Sequence, residues 1–95
     1  MASHEVLQAF VQAATQGSFS AAARKLGKSQ STVSAAVASL EIDLNVVLFD
    51  RSSRKPTLTP AGQVLLQRAE QVLEASSRLE LAASQLSQGL EPRLS

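Results

Sequence analysis

Ser18 to Leu44 reads SFSAAARKLGKSQSTVSAAVASLEIDL. The stretch resolves into two helical runs joined by a very short break. Ser18 can cap the first run, whose apolar positions are Phe19, Ala22, Ala23 and Leu26. Gly27 and Lys28 interrupt it. Ser29 can cap the second run, whose apolar stripe is Val33, Val37, Leu40 and Leu44. An apolar residue every three or four positions is what a helix packed on one face requires. Two such helices across a tight, glycine-containing turn form a helix-turn-helix, and the second would then be a DNA-recognition helix.

Upstream, Ser3 to Thr15 reads as a first helix. Val6, Leu7, Phe10, Val11 and Ala14 make one broad apolar stripe, Ser3 can cap its start, and Gly17 follows its last turn. The second helix spans about Phe19 to Leu26. Its run Ala21, Ala22, Ala23 favours helix and lets neighbouring helices approach closely. Arg24 and Lys25 lie on its outer side, as a solvated face or as phosphate contacts. The third helix runs from about Gln30 to Leu44. Opposite its buried stripe, near its N-terminus, lie Gln30, Ser31, Ser34 and Ala35. Gln pairs bidentately with adenine, Ser bonds several base edges, and an Ala methyl touches the thymine methyl. The helix N-terminus itself favours a phosphate.

Downstream, Val46 to Phe49 are β-formers, Ser52 to Pro56 is a turn-rich tip, and Thr57 to Thr59 can return as a second strand. A two-stranded hairpin after a recognition helix is the wing of a winged helix-turn-helix. Arg54 and Lys55 at its tip would reach a minor groove or the backbone, and a narrow minor groove favours Arg. Arg51 is expected to pair with Glu41 or Asp43 and fasten the wing to the helix.

Thr59-Pro60 is a helix start, with Thr as N-cap and Pro at the first helical position. No breaker follows until Gly89, so about 29 residues, roughly 43 Å, could be helical, with Gly89 and Pro92 ending the run. Leu65, Ala69, Val72, Ser76, Leu79, Ala83, Leu86 and Leu90 alternate steps of four and three, the seam of a helix that pairs with another helix. Leu66 and Leu73 lie beside that seam and can pack on the chain's own three-helix core.

Net charge is only +1, but its distribution is uneven. Between Ser20 and Thr59 stand Arg24, Lys25, Lys28, Arg51, Arg54 and Lys55 against Glu41, Asp43 and Asp50. From Pro60 onward the acidic residues lead. Positive charge therefore collects where a phosphate-facing surface is expected. The chain has 95 residues, 44% of them apolar and 18% charged, which suits one folded domain better than a disordered segment. Phe10, Phe19 and Phe49 are the only aromatic residues, which disfavours single-strand binding by base stacking. The absence of Cys excludes disulfides and thiolate metal sites, and the lone His4 has no second histidine as a metal partner. No metal or cofactor is expected. No apolar run approaches the roughly 20 residues that span a membrane, so a cytoplasmic, soluble protein without membrane contact is expected. An enzyme is disfavoured: there is no glycine-rich phosphate loop, and neither Ser29 nor Ser34 has a base nearby in sequence. A helical adaptor using the seam alone would need neither the wing nor its basic tip.

Taken together these residues resemble the DNA-binding domain of LysR-type bacterial transcriptional regulators. The pattern covers about His4 to Leu90. It includes the Gly17-Ser18-Phe19-Ser20 entry, Ala22-Ala23, Leu26, Ser29-Gln30, Val33-Ser34, Leu40-Glu41, Leu44, Leu48-Phe49, Arg51 and Leu58-Thr59-Pro60-Ala61-Gly62. The resemblance implies a mainly α fold: a winged helix-turn-helix over 1–59, a linker helix over 60–90 that dimerises antiparallel to its mate, and a tail at 91–95. It implies binding of a homodimer to partly palindromic double-stranded promoter DNA, with a recognition helix in each major groove and the wing at the adjacent minor groove. It points to Gln30, Ser31, Ser34 and Ala35 for base contacts, with Arg54 in the minor groove. Ser20, Lys28, Ser29, Thr32, Lys55 and Thr57 are the corresponding phosphate candidates. Two departures stand out. Family members often carry Pro where Ser31 stands, and Arg or another long polar residue where Ala35 and Ala36 stand. Readout is therefore expected to lean on shape, apolar contact and the wing. Family regulators continue into an effector domain. This chain is expected to be an excised domain or a natural short form, with no small-molecule effector site.

Overall fold

The computed structural model describes residues 3–90. Three helices, α1 (His4–Gln16), α2 (Phe19–Leu26) and α3 (Gln30–Leu44), pack together, and a two-stranded wing follows. The wing is β1 (Phe49–Asp50) and β2 (Thr57–Leu58), antiparallel, with Phe49 opposite Leu58 and Asp50 opposite Thr57. Helix α4 (Pro60–Gln85) then extends away and ends in a wider π-type turn over Leu86–Leu90. The tail 91–95, with Pro92, and the seam side chain of Leu90 lie outside the described residues.

Hydroxyl side chains start all four helices. Ser3, Ser18, Ser29 and Thr59 accept the backbone N–H of Val6, Ala21, Thr32 and Gly62, respectively. Each such cap satisfies one orphan donor and is worth about 1 kcal/mol. Gly17 and Gly27 end α1 and α2 with positive φ, and Asn45 does the same for α3 at φ 56°. Asparagine tolerates this left-handed conformation better than most side chains, which is how α3 stops without glycine.

The core lies where α1, α2 and α3 meet. Ala9, Phe10 and Ala13 of α1 face Ala22 and Ala23 of α2 and Val33, Val37 and Leu40 of α3. Alanine at the crossings lets the backbones approach, while Phe10, Leu40 and Leu48 supply volume. All three phenylalanines join one cluster: Phe49 makes edge-to-face contacts with Phe10 at 5.8 Å and Phe19 at 5.5 Å between ring centroids. Strand β1 thereby seals the core as well as starting the wing.

Three expectations need correction. Leu44 was expected in the buried stripe, yet it is 45% exposed. It lies on the last turn of α3 and borders an open apolar groove with Leu7, Leu65 and Val72, which no element among the described residues fills. The strands are shorter than the β-formers imply, because Val46 to Leu48 bond elsewhere. Val46 N–H donates to Glu41 O at the end of α3, and the Val47 carbonyl accepts the Thr59 hydroxyl. Finally, α4 leaves regular geometry at Gln85, before Gly89. There the Ser87 hydroxyl donates to the Ser84 carbonyl, competing for an acceptor of the last turn.

Candidate nucleic-acid interface

The first turn of α3 is built by Ser29. Besides capping Thr32 N–H at 3.1 Å, its Oγ lies 2.8 Å from Thr32 Oγ1 and 3.2 Å from Ser31 Oγ. Three hydroxyls thus gather at the helix N-terminus, where the backbone dipole is positive. Gln30, Ser31 and Ala35 are exposed and Ser34 is half-buried. Positions i, i+1, i+4 and i+5 place these four residues on one face, opposite Val33, Val37 and Leu40. The polar surface of that face is short, since Ala35 adds only a methyl group and Ala36 is half-buried against the core.

The wing is fastened to α3 by one carboxylate. Glu41 Oε2 accepts Leu48 N–H at 2.8 Å and Phe49 N–H at 3.3 Å. Its other oxygen lies 3.8 Å from Arg51 Nη2. Of the two partners open to Arg51 in the sequence, Glu41 is the one used; Asp43, two residues on, is exposed. The Arg51 guanidinium also lies over the Phe19 ring, 4.9 Å from its centroid. At the tip, Asp50 Oδ1 accepts Ser52 N–H at 2.9 Å and the Ser53 hydroxyl donates to the Lys55 carbonyl. The backbone and side-chain hydrogen bonds from Ser52 hold the exposed Asp50 carboxyl below its usual range. These local bonds give the tip a defined shape with Arg54 and Lys55 both exposed.

Between the wing tip, the start of α2 and the start of α3 runs an open cleft of about 400 Å³. Gln30, Ser20, Arg54 and Lys55 all line it. Ser18 and Arg51, not among the residues expected to contact DNA, line it too, and no lining residue is acidic. Ser20 Oγ accepts a hydrogen bond from Arg24 Nη1 at 3.3 Å, which holds a further cation beside the cleft. Lys28 and Thr32 are placed elsewhere. Lys28 Nζ lies 3.9 Å from Glu5 of α1, and both residues border a small cavity of about 100 Å³ on the α1 side. Thr57 is exposed on β2, outside the cleft lining.

The seam of α4 divides in two. Ala69 is 5% exposed and Leu65 half-buried, both packed on the chain's own core together with Leu66. Ala69 also lines the open apolar groove beside Leu44, Leu65 and Val72. Val72, Leu79 and Leu86 are well exposed beyond it, Leu79 at 70%. Ala83 is also exposed and Ser76 half-buried; Leu73 is half-buried beside α1 at Val11. Among the described residues no helix is long and apolar enough to cross a membrane, and no group of three or more His, Cys, Asp or Glu could hold a metal ion.

Two residues named in the sequence pattern have structural roles that the sequence reading did not assign. Glu41 stands beside Leu40 of the buried stripe, a carboxylate on the inner side of a helix, which was the available signal for its backbone-capping role. Gly62 belongs to the Leu58-Thr59-Pro60-Ala61-Gly62 pattern, but no neighbouring residue signals its packing role. In the structure it lies against the Leu48 carbonyl, where α4 starts beneath the wing.

Residues 4–63 match the family model described as bacterial regulatory helix-turn-helix protein, lysR family. The chain is 53% identical over 78 residues to the HTH-type transcriptional regulator AceR of Acinetobacter baumannii, a match that covers 82% of this chain and 26% of AceR. The chain thus spans about a quarter of the length of that relative. Among solved structures, it superposes on the CbnR_DBD-DNA complex with a TM-score of 0.83 at 34% identity, covering 90% of this chain and 98% of that one. The BenM_DBD/catB site 1 DNA complex gives a TM-score of 0.86 at 29% identity, covering 92% and 97%. The helix-turn-helix with its wing and long following helix, and the family match across that unit, identify the chain as a member of the lysR family of bacterial helix-turn-helix regulators, with the fold of the family's DNA-binding domain.

Proposed function

We propose that this chain binds double-stranded DNA in a sequence-specific manner as a homodimer, and that it serves transcription regulation in the bacterial cytoplasm. The observation that carries the reading is the cleft in which Gln30 meets Arg54 and Lys55 without any carboxylate. One concave, cationic surface joining a helix N-terminus to a basic hairpin suits a duplex, whose backbone presents closely spaced phosphates. Helix α3 enters the major groove by its first turn, with Gln30, Ser31, Ser34 and Ala35 toward base edges. The wing tip 52–56 lies at the neighbouring minor groove with Arg54 inserted. Ser20, Ser29, Lys55 and Thr57 contact phosphates, and Lys28 and Thr32 do so on the α1 side. Both superposed structures are DNA complexes, which supports the same use of this fold here.

Dimerisation runs through α4, from Val72 to Leu86. Its exposed seam leaves large apolar side chains in water, and a second copy packed antiparallel removes them. Two-fold symmetry of the protein then requires a partly palindromic site.

The decisive experiment is unbiased selection of duplex DNA with this chain at defined salt. One enriched motif with two related half-sites is the expected result. A pool that stays random while bulk DNA still binds rejects sequence-specific reading.

A further inference from the structure

We infer that Arg51 is a phosphate-contacting residue of the DNA interface, held in position by Glu41 and Phe19, in addition to fastening the wing. The inference rests on the DNA-binding reading above. A guanidinium carries five N–H donors. At 3.8 Å the Glu41 oxygen attracts Arg51 without accepting a hydrogen bond of normal length. The same carboxylate already accepts two backbone N–H groups, from Leu48 and Phe49, so its charge is shared. The Arg51 Cζ lies 4.9 Å from the Phe19 ring centroid, a cation–π contact that uses none of the guanidinium N–H donors in a hydrogen bond. The Arg51 side chain remains 43% exposed, and it borders the same carboxylate-free cleft as Ser18, Ser20, Arg54 and Lys55.

An arginine used only as a fastener would place its donors on its partner. This one keeps them at the rim of a cationic concavity. The planar fork matches two oxygens of a phosphate, and the contacts with Phe19 and Glu41 restrict side-chain freedom that binding would otherwise have to remove. Arg51 thus sits between the start of α2 and the wing tip as a contact held by Glu41 and Phe19, beside the exposed Arg54 and Lys55. Glu41 acts here as a positioning residue.

The test measures duplex binding by fluorescence anisotropy across a salt series for the natural chain, Arg51→Gln and Arg51→Lys, together with NMR of the Arg51 Nε–H group in the natural chain. Arg51→Gln should reduce the slope of log affinity against log salt by about 1. Arg51→Lys, which keeps the charge, should retain the slope and bind more weakly than the natural chain. The Arg51 Nε–H signal should shift on saturation with duplex, a readout that does not depend on any variant folding. An unchanged slope in a folded Arg51→Gln, or an unmoved Nε–H signal at saturation, overturns the inference and leaves DNA binding standing. A natural chain that binds no duplex even at low salt overturns the DNA-binding reading and this inference with it.

Discussion

Gly62 abuts the backbone carbonyl of Leu48, so closely that a Cβ at position 62 would collide with that oxygen and touch the Leu58 side chain. The contact joins three elements at once. Leu48 leads into β1, Leu58 closes β2, and Gly62 is in the first turn of α4. The Leu48 carbonyl also accepts Thr59 N–H at 3.0 Å, and the Thr59 hydroxyl both accepts Gly62 N–H and donates to Val47. The missing side chain is what lets the long helix start directly beneath the wing.

Gly62→Ala is therefore expected to destabilise the fold by about 1–3 kcal/mol, since a backbone carbonyl cannot move aside as a side-chain tip can. For a chain of this size each kcal/mol lowers the thermal midpoint by about 4–8 °C, which circular dichroism resolves. An unaltered midpoint would show that the α4 start can slide off the wing at no cost.

Glu41→Ala removes the acceptor of Leu48 and Phe49 N–H at a partly buried site. An orphaned buried donor costs about 1–3 kcal/mol, and the wing should loosen from α3. Hydrogen exchange at Leu48 and Phe49 should accelerate more than at Val33 or Val37. Equal acceleration throughout would mean that the carboxylate supports global stability and not the wing.

Arg54 extends from the wing tip, exposed and free of any carboxylate partner within the cleft lining. Arg54→Ala should weaken duplex binding and lower the salt slope by about 1. The same affinity and slope as the natural chain would remove the wing tip from the interface.

Gln30 is the longest polar side chain on the outward face of α3. Gln30→Ala should change the preferred site in a selection experiment, with a loss of about 1–3 kcal/mol on the cognate site and little effect on nonspecific DNA. Recovery of the same motif would assign specificity to DNA shape instead.

Leu79 and Ala69 separate the two uses of α4. Leu79→Arg, on the exposed part of the seam, should shift sedimentation toward monomer while the fold survives. Ala69→Arg, on the part packed against the core, should lower the thermal midpoint instead. A Leu79→Arg chain that sediments as a full dimer would place the dimer interface elsewhere.

The helices and their starts were legible because the signals are local, whereas the end of α4 came earlier than Gly89 implied. Hydroxyl caps at Ser3, Ser18, Ser29 and Thr59, glycines after the first two helices, and apolar spacing each act over a few residues, and all four helix starts match them. The wing was legible as an element but not in extent. Val46 and Val47 have strand propensity, but their backbone groups are taken by Glu41 and Thr59, contacts 5 and 12 residues away in the chain. The burial of Leu44 was misread because periodicity marks the face of a helix and not where its neighbours end.

The sequence by itself determined the order of elements, the outward face of α3 carrying Gln30, Ser31, Ser34 and Ala35, and the basic tip at Arg54 and Lys55. Propensity, capping and periodicity are short-range, so they can be read from adjacent residues. Only the tertiary structure decided that Gln30 and Arg54 share a cleft, that Arg51 joins it on the Phe19 ring with Glu41 as its ion partner, and that Ala69 belongs to the core while Leu79 does not. Those outcomes depend on how close separate elements come. Such distances are set by packing and by contacts such as Gly62 on Leu48, which no local pattern in the chain encodes.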